Sequence, residues 1–181
     1  MRIGPLRAMQ VVSVAAVLVL GGILGWRLSH NAGGGKSVAQ DKIVPAPATN
    51  LPLLNRAGRL DLAALRGKVV VVNFWASDCQ PCKQEMPRMV RAAKRYATTT
   101  VVVGVDVDDA KGPARAFLKR YGATYPVVFD PDGTTVLPWG IGAGTPQTFF
   151  VDRRGRLIPP HILGPATDKT LAAGIDRALR S

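Results

Sequence analysis

The stretch Asn73-Phe74-Trp75-Ala76-Ser77-Asp78-Cys79-Gln80-Pro81-Cys82-Lys83-Gln84-Glu85-Met86-Pro87 holds both cysteines of a 181-residue chain. Just before it, Lys68 to Phe74 carries four consecutive valines, a run whose length and β-branched content predict a buried strand. Beyond Cys82 the pattern predicts a helix to about Tyr96. The C-x-x-C pair therefore stands where a strand gives way to a helix. Free N–H groups and the helix dipole favour an anion there, and a thiolate is the species that attacks a disulfide. Cys79 reads as the nucleophile, and Cys82, one turn further in, as the thiol that resolves a mixed disulfide. A static bridge over so short a loop would stabilise the fold little. Half a zinc site would need two more ligands, and His30 and His161 are the only histidines.

Outward from the pair the elements alternate. Leu51–Leu54 and Arg59–Leu60 predict two short strands around the turn Asn55–Gly58. Asp61 is placed to cap a helical turn that ends near Gly67. After the active-site helix, Val101–Val107 reads as a buried strand and Pro113–Tyr121 as a helix. Pro126–Phe129 reads as a strand ended by the turn Asp130-Pro131-Asp132-Gly133. Gln147–Val151 and Gly155–Ile158 flank Asp152-Arg153-Arg154 as a hairpin, and Asp168 reads as the cap of a last helix to about Arg180. Together these predict an α/β domain, a mixed sheet with helices on both faces.

The quoted stretch resembles the active-site segment of thioredoxin-fold proteins. It is most similar to the membrane-anchored TlpA/ResA type and its cytochrome c maturation relatives of the CcmG/DsbE type. Gly144-Thr145-Pro146-Gln147-Thr148-Phe149-Phe150-Val151-Asp152, with Gly155, resembles that family's second landmark, a cis-proline loop facing the cysteines. The N-terminal β-hairpin and the central helix–strand insert near 112 to 129 also look like this branch. The likeness spans roughly residues 50 to 180. It implies a thiol–disulfide oxidoreductase with a redox-active Cys79–Cys82 pair and no cofactor or metal. It further implies a cis bond before Pro146 and a substrate-facing backbone at Thr145 and Pro146, open to an extended partner segment.

Three positions depart from or specify this pattern. Asn73 stands where plain thioredoxins resembling this chain carry a buried Asp, and an amide cannot relay a proton from Cys82. Glu85, the only Glu in the chain, lies three residues past Cys82 on the same helix face. It matches the acid of ResA-like proteins and is the expected proton handler. Asp78 replaces the usual Trp, removes an apolar surface beside the nucleophile and adds an anion that opposes thiolate formation.

The rest of the chain bounds where this chemistry works. Met9–Trp26 carries no charge, and at ~1.5 Å per residue it approaches the ~30 Å hydrocarbon core of a bilayer. Arg2 and Arg7 precede it, which leaves the N-terminus in the cytoplasm. The expected organisation is a cytoplasmic N-terminus and transmembrane anchor over 1–28, a flexible linker over 29–50, and a thioredoxin-like domain over 51–181 on the periplasmic or extracellular side. A cleaved signal peptide is the competing reading. Lys and Arg number 24 against 12 Asp and Glu, a formal +12. The basic residues are scattered without interleaved aromatics, which indicates a solvated face rather than nucleic-acid binding. Expected partners are a protein disulfide or dithiol, with apocytochrome c as a candidate, and a membrane electron donor of the thiol-transfer type.

A disulfide-forming oxidant and a copper metallochaperone holding Cu(I) on two thiolates are the alternatives. Trp75 and Trp139 read as packing residues and His161 as an exposed loop residue. Asp106, Asp108 and Asp109 read as acids at a helix start rather than a cation site.

Overall fold

Branched residues on successive positions suit a strand covered on both faces, and the valine runs behave accordingly. The computed structural model describes residues 42–142 and 144–181. Its elements are β1 (Val44–Pro45), β2 (Asn50–Pro52), β3 (Arg59–Asp61), a 3-10 turn (Leu62–Leu65), β4 (Val69–Trp75), α1 (Gln80–Arg95), β5 (Thr100–Val107), α2 (Lys111–Tyr121), β6 (Val127–Asp130), β7 (Gln147–Val151), β8 (Arg156–Leu157), β9 (Ile162–Leu163) and α3 (Asp168–Arg180). β4 is buried along its whole length. It pairs in parallel with β5, which pairs in parallel with β6, while β7 runs antiparallel on the other side of β4. The sheet order is β1-β8-β7-β4-β5-β6, with β9 also on β7 and β2–β3 forming a separate hairpin. The α/β class, the early hairpin and the α2–β6 insert thus stand as the sequence predicts.

The two cores are covered unequally. One face of the sheet packs Val69, Val71, Trp75, Val102, Val127 and Phe150 under residues from all three α-helices. The opposite face packs Val70, Val72, Phe74, Val105 and Phe149 under Leu62 of the 3-10 turn, Trp139 and Ile141. Helical cover on both faces therefore takes a lopsided form. Among the described residues the chain from Asp130 to Gln147 makes no α-helix, and its Trp139 and Ile141 cover the second face instead.

Several boundaries move for identifiable reasons. The sheet begins inside the stretch read as linker. Val44 pairs with Leu157, the Ala46 amide donates to Gly155, and buried Thr49 accepts from Trp139 Nε1 at 3.1 Å. The last helix is capped by Thr167, not Asp168, because Thr167 and Thr170 form a reciprocal capping box. Asp61 caps the 3-10 turn as expected, accepting from the Ala63 amide at 2.9 Å. Residues 1–41, and with them the proposed anchor and most of the linker, lie outside the described residues. Among those described, no helix is long and apolar enough to cross a membrane.

Gly174 supplies a test of the α3–sheet contact. A Cβ there would lie 2.0 Å from Phe150 Cζ, in a position where Phe150 is 1% exposed. At an exposed helix site Gly→Ala stabilises by ~1 kcal/mol. Gly174→Ala is expected to reverse that sign and destabilise by ~1–3 kcal/mol through overpacking, measured from the urea midpoint. An unchanged or raised midpoint would show that α3 does not sit this close to β7.

Candidate active site

The β4–α1 junction sets the geometry of the cysteines. β4 ends at Trp75, and the chain turns with Cys79 N–H donating to the Ala76 carbonyl. Cys79 is the N-cap of α1, and its Sγ accepts the Cys82 N–H at 3.1 Å. This is the donor a helix start offers to an anion. Pro81 sits in the first turn, where a missing N–H costs nothing. The two sulfurs are bonded to each other. Cys82 is wholly buried and Cys79 half-buried, so attack from outside must come at Cys79.

The second landmark faces the first. The Thr145–Pro146 bond is cis, as the sequence resemblance implies, and the Thr145 carbonyl oxygen lies 3.7 Å from Cys79 Sγ. Pro146 is buried and Thr145 half-buried. The Pro146 carbonyl is already taken by the Gly164 amide. A second cis bond, Pro159–Pro160, was not legible in the sequence.

Behind the pair lies a buried polar link. Glu85 is 0% exposed; one carboxylate oxygen accepts from Asn73 Nδ2 at 2.7 Å and the other from the Ala166 amide at 2.7 Å. Asn73 Nδ2 also donates to Thr148 Oγ1 at 3.1 Å. Burial pushes the Glu85 carboxyl above its ordinary 4.5, against the lowering effect of these two donors and of Arg88. Tyr125 was missed by sequence reasoning. Its hydroxyl is buried, donates to Met86 Sδ at 3.0 Å, and is held well above its ordinary 10 by burial and by the Glu85 charge. No sequence period links Tyr125 to the helix that it touches.

The remaining candidates separate from this centre. Asp78 is exposed at its mouth, as expected of a residue screened by water. Trp75 and Trp139 are packing residues, stacked on Phe117 and tilted on Phe74 respectively. His161 is not the exposed loop residue expected. It is half-buried and stacks on Phe149 with centroids 4.6 Å apart, because β9 carries it onto the sheet. Asp106 and Asp109 are not helix caps either: the N-cap of α2 is Ala110, with no side-chain cap. Asp106 is buried in β5, while Asp109 accepts the Ser77 amide at 2.7 Å.

A strand-to-helix C-x-x-C pair, a facing cis-proline loop and a buried acid on the same helix define a thioredoxin-fold thiol–disulfide oxidoreductase. Comparison with known proteins agrees. Residues 44–158 match the AhpC/TSA family, and the chain belongs to that family. It is 37% identical over 136 residues to the thiol:disulfide interchange protein HelX of Rhodobacter capsulatus, covering 74% of each chain. It is 31% identical over 150 residues to the thiol-disulfide oxidoreductase ResA of Bacillus subtilis, covering 81% of each. A crystal structure described as a putative thiol:disulfide interchange protein DsbE from Chlorobium tepidum superposes with a TM-score of 0.66 at 35% identity. That match covers 74% of this chain and 92% of the other. The protein is an enzyme of thiol–disulfide exchange, with protein thiols and disulfides as its substrates.

The Glu85 shift makes a prediction in the oxidised protein, where the cysteines do not titrate. A folded-state carboxyl pKa raised above the unfolded value means that the folded protein keeps a proton which the unfolded chain releases. Stability should fall as pH rises from about 4.5, at up to ~1.4 kcal/mol per pH unit, until Glu85 ionises in the folded state. Glu85→Gln removes that component, so the difference between the two urea-stability profiles should slope over this window and be flat above it. Parallel profiles would mean that Glu85 titrates like a solvated carboxyl.

Proposed function

We propose that the protein is a membrane-tethered reductase of protein disulfides that works outside the cytoplasm, with apocytochrome c as a substrate. The observation that carries the direction is the wholly buried carboxyl of Glu85 on the cysteine helix. A helix N-terminus stabilises a thiolate and so stabilises the reduced form, which makes a pair oxidising. A carboxylate beside the pair opposes a second anion, and Asp78 adds another at the mouth. Both acids push the couple towards giving up its electrons. The relatives named for thiol–disulfide oxidoreduction and interchange support the reaction class.

The reaction runs as a two-electron exchange. Reduced Cys79 attacks one sulfur of the partner's disulfide, forming a mixed disulfide and releasing a partner thiolate that takes up a proton. Cys82 passes its proton to Glu85 and attacks Cys79 Sγ. The second partner thiol leaves reduced, and the Cys79–Cys82 disulfide described above is formed. The Thr145–Pro146 backbone lies alongside Cys79 and aligns the partner's chain. A membrane dithiol donor of the thiol-transfer type reduces the pair again.

Cys82→Ser, reduced and mixed with an oxidised Cys-x-x-Cys-His peptide, should accumulate a covalent adduct through Cys79, and Cys79→Ser should give none. At equilibrium with glutathione the wild-type pair should lie on the reducing side, where ~30 mV corresponds to about tenfold. No adduct would remove the mechanism, and an equilibrium favouring the reduced protein over reduced glutathione would make it an oxidant.

The uncharged Met9–Trp26 run behind Arg2 and Arg7 supports the tether. Full-length protein is expected in the membrane fraction. Protease added outside the cytoplasmic membrane should release the domain by cutting before Val44, where the sheet begins. A soluble product that starts just after the apolar run would instead show a cleaved leader.

A further inference from the structure

Period two along β4 sets Val69, Val71 and Trp75 on the face packed under the helices, and Asn73 shares that face. Its register partners are Gly104 on β5 and Thr148 on β7. Gly104 brings no side chain, so the amide meets Thr148 beside it and Glu85 from α1 above. All three polar residues are wholly buried. Asn73 Nδ2 directs one hydrogen to Glu85 Oε1 at 2.7 Å and the other to Thr148 Oγ1 at 3.1 Å. Oδ1 of the same amide is buried and meets no donor among the described residues. A buried polar atom left unpaired is unfavourable. Turning the amide over would set Oδ1 against the carboxylate oxygen and leave the N–H groups unpaired instead. The amide thus forgoes one acceptor contact in order to face Glu85 as a donor.

Glu85 requires such a donor. A carboxyl wholly removed from water keeps its proton unless hydrogen bonds to the ionised form compensate. Two do so here, from Asn73 on Oε1 and from the Ala166 N–H on Oε2, each at 2.7 Å. Burial still outweighs them and pushes the carboxyl upward, so neither donor is in excess. The other groups around Glu85 contribute less. Arg88, one turn on along α1, is half-buried with its guanidinium on the Gln84 carbonyl, and lowers Glu85 less than either hydrogen bond. Tyr125, ahead of β6, donates its hydroxyl to Met86 Sδ and stays neutral. On α3, Asp168 is exposed and paired with Arg91 at 2.9 Å, and Arg177 donates to the Pro160 carbonyl. β7 presents the uncharged Thr148 hydroxyl.

We propose that Asn73 is a positioning residue for the proton step: braced by Thr148, its amide holds Glu85 in the ionised form that takes the proton of Cys82. In that step the proton leaves Cys82 Sγ for a Glu85 oxygen, the Cys82 sulfur bonds to Cys79 Sγ, and the partner's thiolate departs. Without the amide, Glu85 keeps a proton of its own to higher pH and the site lacks its base. An Asp at position 73 could not do this, because a second carboxylate at hydrogen-bond distance would repel the first. The amide that cannot relay a proton is thus the group that readies the neighbouring acid to accept one.

This role rests on Glu85 as the proton acceptor proposed above, and two measurements separate the two. Glu85 is the only Glu in the chain, so ¹³C-glutamate labelling gives a single side-chain carboxyl resonance. It is followed against pH in the full-length oxidised protein, where the bonded cysteines do not titrate. Loss of a hydrogen bond to the charge in Asn73→Leu should raise its midpoint by about one pH unit or more, and loss of the brace in Thr148→Val by about half a unit. The second measurement is the rate at which the mixed disulfide on Cys79 is resolved. Reduced protein is mixed with an oxidised Cys-x-x-Cys-His peptide and acid-quenched within one turnover, at a series of pH values. The acid limb of this rate should move upward in Asn73→Leu and vanish in Glu85→Gln. A purely structural role would lower the rate at every pH and leave the limb in place. The role of Asn73 is overturned by an unmoved carboxyl midpoint in Asn73→Leu, or in Thr148→Val should Asn73→Leu not fold. It is equally overturned if the limb stays in place in Asn73→Leu yet vanishes in Glu85→Gln. A Glu85→Gln profile identical to wild type instead removes the proton acceptor itself, and the role of Asn73 with it.

Discussion

The carboxyl of Glu85 ties together the three parts of the molecule that must stay in register for the cysteines to work. It sits on α1, one turn beyond Cys82, and receives Asn73 from β4 and the Ala166 amide from the segment leading into α3. Asn73 in turn reaches Thr148 on β7, the strand that follows the cis-proline loop. One buried acid thus connects the helix bearing the nucleophile, the central strand and the strand facing the sulfurs. A buried ionisable group held by two donors is costly to disturb, because loss of one donor leaves the other partner unsatisfied. The same burial that makes it a poor place for a charge raises the carboxyl above its ordinary value, the direction that the proposed proton transfer from Cys82 requires. Structural rigidity and a raised carboxyl pKa are two consequences of one desolvated carboxyl.

Four buried acids of this domain divide according to their donors rather than their depth. Burial pushes Asp130 upward, yet the amides and hydroxyls of Thr134 and Thr135 outweigh it and hold the carboxyl below its ordinary value. Asp152 behaves likewise, with burial opposed by Arg156 and the Arg154 amide across the β7–β8 turn. Both are turn anchors, charged at neutral pH. Glu85 has two donors, too few to overcome its desolvation, and Asp106 has none. The two acids left above their ordinary values both border the chain around Cys79. The turn acids are held ionised by their donors, while burial pushes the under-donated ones upward.

Legibility in the sequence followed the range of the interactions. β4, β5, α1 and the β2–β3 hairpin were readable because valine runs, a C-x-x-C step and turn residues are local signals. Glu85 was readable because a helix fixes where a residue three positions on must point. β9 was not, since Ile162–Leu163 is too short to show any period and owes its pairing to β7. β1 was hidden for a related reason: Pro45-Ala46-Pro47 looks like linker, and only Leu157 and Gly155 make it a strand. Thr167 displaced Asp168 as a cap because Thr170, three residues on, could return the hydrogen bond. Tyr125 and Asp106 depended on what the fold laid beside them, Met86 in one case and Trp75 with Phe129 in the other.

That dependence explains why an Asp at the end of a valine strand reads so differently in one and in three dimensions. In the sequence, Asp106, Asp108 and Asp109 form a short acidic run of the kind that begins helices and meets solvent. In the fold, the pleat turns Asp106 inward between two aromatic rings, and Asp108 takes the left-handed turn that the run needs to reverse. Asp109 is left facing back to the β4–α1 loop. Only the last of the three keeps hydrogen-bonding partners suited to a carboxylate, and one of them is the amide of Ser77. Three acids within four residues thus acquire separate environments from the alternation of a strand and a single backbone reversal. The loop that presents Cys79 is held from its own helix by the Cys82 amide and from the β5–α2 turn by Asp109, so the chain at Cys79 is fixed from both sides.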